Sequence, residues 1–127
     1  MIGLPSRIAQ MASGDSLEDR IVAVARFVRK GEWTTYGDIS AAATGSVRAA
    51  RAVARAAAVS ADFPHAHRVL RGDGTVARGD GPRRAERVNR ARSALEAEGV
   101  AFSLAGRADP AARVYWDELA RRTGAPR

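Results

Sequence analysis

Residues 35–58 contain two helical segments separated by a short break, and this pattern constrains the fold more than any other feature of the chain. Thr35 can cap the first helix, which is predicted to run to about Ala43, where Thr44 and Gly45 interrupt it. Ser46 can cap the second, an Ala- and Arg-rich segment over 47–58. Two helices joined by a tight glycine-containing turn predict a helix-turn-helix.

The flanking segments predict a mainly helical fold. Ser16 begins a capping box, and apolar residues recur at helical spacing from there until Gly31. Residues 67–70 and 75–77 flank a Gly-Asp-Gly turn, which favours a small β-hairpin, or wing. Pro82 is predicted to open a further helix to about Ala97, closed by Gly99. The fold class expected is mainly α with a small β-hairpin, a winged helix-turn-helix-like DNA-binding domain.

A chain of 127 residues is expected to form one domain, at 15–117. Residues 1–14 are predicted to be a flexible N-terminal lead-in, and 118–127 a polar C-terminal tail. A short strand is expected at 100–104, and a helical turn or short helix that starts at Asp109 and Pro110 is expected to carry Tyr115 and Trp116. No apolar run is long enough to span a bilayer and no secretory pattern opens the chain, so we expect a cytoplasmic protein.

Three of the arginines lie on one face of the second helix of the predicted helix-turn-helix. The formal net charge is +7. Arg48, Arg51 and Arg55 lie at i, i+3 and i+7, within one narrow arc of a helix. No acidic residue occurs over 39–61. An arginine face without local acids is typical of a helix that contacts DNA, although an ordinary solvated face has the same spacing.

The chain contains no cysteine. Disulfides, thiolate catalysis and cysteine-ligated zinc are therefore excluded. Histidines occur only at His65 and His67, whose i, i+2 spacing could chelate a metal, but single pairs of this kind are mostly incidental and no metal site is predicted. The hydrolase and phosphate-binding motifs Gly-x-Ser-x-Gly, His-Glu-x-x-His and the P-loop do not occur.

An ordered set of segments resembles the DNA-binding domain of the O6-alkylguanine-DNA alkyltransferases. In chain order these segments are TYGDI (35–39), RAARAV (48–53), PHAHRV (64–69), GTV (74–76), EAEGV (96–100) and the pair Tyr115 and Trp116. The resemblance covers about residues 17 to 116. In the family the third segment reads Pro-Cys-His-Arg-Val, so Ala66 stands where the alkyl-accepting cysteine is expected. His65 replaces the preceding proline, and the approach from Val53 is about two residues shorter.

The sequence is most similar to the cysteine-less branch, the alkyltransferase-like proteins. The resemblance implies a non-enzymatic, cofactor-free and monomeric sensor that binds O6-alkylguanine in double-stranded DNA through the minor groove, flips the nucleotide out and hands the lesion to nucleotide excision repair proteins. Tyr36 would rotate the target phosphate, and Arg51 would replace the extruded base. The DNA-binding residues implied are Tyr36, Ser46, Arg48, Arg51 and Arg55.

The same resemblance implies a lesion pocket. Its lining would comprise Tyr36, Ala66, His67, Val69, Gly74, Thr75 and Val76. Glu98 would support the pocket from behind by orienting His67, as a structural pair now that no sulfur is present to activate. The alternative kept open is a lesion-independent winged-helix DNA-binding or regulatory protein. An active alkyltransferase is not expected, because no residue here can accept an alkyl group as a thiolate does.

Overall fold

Five α-helices, three single 3₁₀ turns and one pair of short strands make up the regular structure of the described residues. The computed structural model describes residues 16–79 and 81–124. Its α-helices are α1 (Leu17–Ala25), α2 (Tyr36–Thr44), α3 (Ala50–Val59), α4 (Arg84–Ala97) and α5 (Trp116–Thr123). The strands are β1 (Thr34–Thr35) and β2 (Val69–Leu70). The predicted lead-in at 1–14 lies outside the described residues. The predicted mainly helical fold class is confirmed.

Polar side chains cap the first two helices as predicted. Ser16 Oγ accepts from the Asp19 amide at 3.0 Å, and the Asp19 carboxylate accepts from the Ser16 amide at 3.2 Å, which completes the capping box. Thr35 Oγ1 accepts from the Asp38 amide at 3.0 Å. α1 ends at Ala25 rather than near Gly31, and α4 begins at Arg84, two residues after the predicted start.

The helix-turn-helix consists of α2, a single 3₁₀ turn at Val47–Ala49, and α3. Gly45 ends α2 with a φ of 83°, a left-handed conformation that glycine adopts without strain. Ser40 is fully buried, donates to the Ser46 carbonyl and accepts from the Ala49 amide at 3.0 Å. These bonds fix the angle between the helices. The predicted single helix from Val47 is therefore a 3₁₀ turn followed by α3.

The predicted β-hairpin is wrong, because β2 pairs with β1 in parallel instead. Thr34 lies opposite Val69, and Thr35 lies opposite Leu70. Residues 75–77 form no strand. The 71–75 segment is still a turn, with the Arg71 amide donating to the Thr75 carbonyl at 2.9 Å. A hairpin was predicted from adjacent segments, whereas the partner that the fold supplies lies 35 residues earlier in the chain.

The core lies in two clusters on either side of this strand pair. Ile21, Ile39, Val53 and Leu119 bring α1, α2, α3 and α5 together in one cluster. The second cluster packs α4 against the strands and the segment after α4, and consists of Trp33, Leu70, Leu95, Val100 and Ala108. The predicted strand at 100–104 is reduced to an isolated bridge between Phe102 and Ala108.

The C-terminal segment is packed against the core, which corrects the predicted polar tail for residues 118–124. In α5, Leu119 is fully buried and Ala120 nearly so. The segment before α5 is tied to α2, because the Asp38 carboxylate accepts from the Arg113 guanidinium at 2.9 Å and from the Trp116 amide at 3.2 Å. The tail was predicted because most residues of α5 are polar. No helix among the described residues is long and apolar enough to cross a membrane.

Candidate nucleic-acid interface

The three arginines of the predicted DNA-binding face are all exposed. Arg48 lies on the 3₁₀ turn, whereas Arg51 and Arg55 lie on α3, whose opposite side is buried through Val53 and Ala56. No ion pair among the described residues involves these three guanidinium groups. Ser46 Oγ accepts from the Arg48 amide at 3.1 Å and so fixes the start of this face. The face therefore presents three guanidinium groups that form no ion pair with the described carboxylates.

A cavity of about 480 Å³ lies beside this face. One wall is formed by α3 through Ala54, Ala57 and Ala58, and the facing wall by α4 through Ala91 and Ala94. The remaining walls are Tyr36, the Ala66, His67 and Val69 side chains, and residues 76–79, with Arg87 and Arg90 on the α4 side. Small side chains on both helices leave the space open. Arg51 is three residues before Ala54 and seven before Ala58, so it continues the cavity-facing stripe of α3.

The structure brings five of the seven predicted pocket residues to this cavity, namely Tyr36, Ala66, His67, Val69 and Val76. Gly74 and Thr75 are not part of its lining. Gly74 instead packs on the 108 segment: its carbonyl accepts from the Ala108 amide at 2.9 Å, and a Cβ there would lie 3.1 Å from the Ala108 nitrogen. The Thr75 hydroxyl donates to Asp73 at 2.6 Å.

Tyr36 is the first residue of α2 and is half-buried at the cavity wall. Burial raises the pKa of its phenol, and the positive charge of Arg71 offsets part of that rise. The hydroxyl therefore stays protonated at neutral pH and can donate a hydrogen bond.

Backbone strain is located immediately before Ala66. His65 is exposed and has a φ of 54°, and no other non-glycine residue in the described part of the chain has a positive φ. It precedes the 3₁₀ turn Ala66–Arg68, which presents Ala66 to the cavity. The pKa of His65 is lowered by its partial desolvation and by the nearby charge of Arg68.

Behind the cavity, the Glu98 carboxylate is held by three donors. His67 Nε2 lies 2.8 Å from Glu98 Oε2, Arg68 donates to both carboxylate oxygens at 2.9 and 3.0 Å, and the Gly31 amide donates at 3.1 Å. Burial tends to raise the pKa of Glu98, but the bonds from Arg68, His67 and Gly31 outweigh it and lower the pKa to about 2. Arg68 also donates to the Val28 carbonyl at 2.9 Å.

The predicted His67–Glu98 contact is therefore present, and Arg68 is the third member that the sequence analysis missed. Its side chain is buried, which is unusual for arginine and is explained by the paired carboxylate. The rings of His65 and His67 lie 6.3 Å apart at right angles. Within residues 16–79 and 81–124, no group of three or more His, Asp or Glu side chains is placed to hold a metal ion.

Comparison with protein-family models shows which family this chain belongs to. The sequence model for the 6-O-methylguanine DNA methyltransferase, DNA binding domain, matches residues 16–100. The chain belongs to this family. The match includes α1 to α4, and therefore the helix-turn-helix, the cavity and the Glu98 network. No curated protein gave a significant match.

A solved structure shares the fold of this methyltransferase-family domain. It is S. pombe Atl1 in complex with damaged DNA containing O6-carboxymethylguanine. The two chains are 24% identical with a TM-score of 0.61, over 77% of this chain and 94% of Atl1. The fold of the family is thus present in a chain that has no cysteine.

Proposed function

We propose that this protein is a non-enzymatic sensor that binds O6-alkylguanine in duplex DNA and leaves the lesion in place. The observation that carries the proposal is an alanine-walled cavity of about 480 Å³ that opens beside an arginine face free of ion pairs among the described residues and has Ala66 in its wall. A chain without cysteine cannot take up the alkyl group as a thioether. The structure of Atl1 with O6-carboxymethylguanine DNA supports this class of ligand.

The arginine face is proposed to hold the minor-groove backbone. Arg48 and Arg55 would contact phosphates, because an exposed guanidinium without a protein partner retains its donors for DNA. The 3₁₀ turn capped by Ser46 would approach the same strand. Such contacts make the affinity depend on salt. The plot of log affinity against log salt concentration becomes steeper by about one for each phosphate that is neutralised.

Tyr36 and Arg51 are proposed to flip the damaged nucleotide into the cavity. Tyr36 lines the cavity and keeps its hydroxyl proton at neutral pH, so it can donate to the phosphate beside the target. Arg51 lies on the cavity-facing stripe of α3, where a planar guanidinium can stack in the vacated space of the duplex. Flipping costs a few kcal/mol and is cheapest for a base that pairs poorly, which favours the lesion.

His67 and Glu98 are proposed to support the cavity rather than to move protons. The Glu98 carboxylate is paired with the Arg68 guanidinium. Next to His67, the cavity is lined by the methyl group of Ala66. A hydrogen-bonded carboxylate of this kind fixes the 3₁₀ turn that carries Ala66. The sensor is further proposed to act as a cytoplasmic monomer that presents the lesion to nucleotide excision repair proteins.

The proposal is tested by titrating fluorescent duplexes that differ only at one base, guanine or O6-methylguanine, at physiological salt. We expect tighter binding of the O6-methylguanine duplex. The strained backbone at His65 favours one rival, a winged-helix DNA-binding protein that has lost lesion recognition. Equal affinity for the two duplexes would establish that rival and refute the sensor.

A further inference from the structure

The α4 side of the cavity is cationic. One stripe of α4 lines the cavity, at positions i, i+3, i+4 and i+7 of the helix: Arg87, Arg90, Ala91 and Ala94. The two guanidinium groups lie at the N-terminal end of this stripe. Arg78 adds a third from the 76–79 segment. None of the described lining residues is acidic, and Asp80 lies outside the described residues.

One of these three arginines, Arg87, holds the 76–79 segment of the cavity wall in place. Arg87 donates to the Arg78 carbonyl at 3.3 Å, and its terminal nitrogen would lie 3.1 Å from a Cβ at Gly79. Gly79 also has a φ of 67°, so glycine both allows this approach and adopts the turn. Arg87 therefore fixes the segment that carries Arg78. Arg78 and Arg90 are exposed, and their guanidinium groups have no ion pair with the described carboxylates.

We propose that this wall is a subsite for an anionic O6 substituent, so that the protein binds guanine carrying a short carboxyalkyl group more tightly than guanine carrying a neutral group of the same size. The inference rests on the proposed function, since the base must first enter the cavity. A carboxylate on such a substituent meets the planar donors of Arg90 and Arg78, which suit carboxylate geometry. A neutral group meets only the alanine walls.

The test compares three duplexes, with guanine, O6-carboxymethylguanine or its neutral isostere O6-carbamoylmethylguanine at one position. For the wild-type chain we expect the anionic lesion to bind about fivefold more tightly than the isostere, the upper range for an exposed ion pair. Arg90→Gln should lower this ratio towards one, with Arg78 left to contact the carboxylate, and should weaken binding of the anionic lesion more than binding of the isostere or of the guanine duplex.

Arg84→Gln is the matched control, because it removes the same charge from the same helix at a position that does not line the cavity. It should leave the ratio at the wild-type value. A wild-type ratio near one, or an Arg90→Gln variant that weakens all three duplexes equally, as the loss of a phosphate contact would, overturns the subsite. Equal binding of all three duplexes by the wild-type chain instead refutes the proposed function itself.

Discussion

Replacing Glu98 with glutamine tests whether the carboxylate behind the cavity stabilises the fold. The Glu98 side chain is 12% exposed, and that of Arg68 is 9% exposed. In Glu98→Gln the Arg68 guanidinium loses its counter-charge, and the new amide donor faces existing donors from Arg68 and Gly31. Removing one partner of a buried pair is costly, because the remaining charge stays desolvated.

The size of the effect follows from the pKa of Glu98. Lowering that pKa from 4.5 to about 2 corresponds to about 3 kcal/mol of stabilisation by the charged form. Because the pKa in the folded state lies below that in the unfolded state, this stabilisation is complete above about pH 5 and is lost as the pH falls towards 2. The difference in unfolding free energy between wild type and Glu98→Gln should be about 3 kcal/mol at pH 7 and about 1 kcal/mol at pH 3.

Urea unfolding followed by circular dichroism and by tryptophan fluorescence measures this difference, since Trp33 is buried in the second core cluster. The difference between the two proteins at each pH removes the contribution of carboxylates that both share. A Glu98→Gln variant within about 0.5 kcal/mol of wild type at pH 7, or a difference that does not change down to pH 3, would show that the Glu98 carboxylate does not stabilise the fold.

Four other substitutions test the DNA-binding face, the Asp38–Arg113 pair and the packing of α5. Arg51→Ala should remove most of the preference for O6-methylguanine, whereas Arg55→Ala should weaken both duplexes alike and reduce the salt slope by about one; identical behaviour in binding titrations would contradict the assignment of Arg51. Asp38→Asn removes the charge that binds Arg113 and should lower the free energy of unfolding by about 3 kcal/mol in urea. Leu119→Ala should cost about 3 kcal/mol by the same measurement, and a cost near zero would mean that α5 is not part of the core.

Local signals in the sequence predicted the helices, and non-local pairing explains what they missed. The caps at Ser16, Thr35 and Ser46 depend on residues at most three positions away, so they can be recognised from the sequence. The parallel pairing of β1 with β2 joins segments 35 residues apart, and no local turn sequence predicts such a pairing. α5 was missed because its burial depends on Leu119 and Ala120 within an otherwise polar segment.

The cavity was predictable only in part, for the same reason. The family motifs led to Tyr36, Ala66 and Val69, which lie on three neighbouring elements around β2. The facing wall depends on how α4 packs against the rest of the fold, and no motif named its arginines. A usable signal was nevertheless present, because the spacing from Arg87 to Ala94 places two arginines and two alanines on one stripe of a helix.

One competition assay with a chemical check on the DNA shows whether the protein binds O6-methylguanine without repairing it. Equimolar protein is incubated with an O6-methylguanine duplex and its unmodified counterpart, the bound fraction is recovered, and the released DNA is analysed for O6-methylguanine. We expect the lesion duplex to be enriched in the bound fraction and all of its O6-methylguanine to be recovered intact. Equal capture of both duplexes, or loss of the methyl group from the DNA, would contradict a sensor that binds the lesion without repairing it.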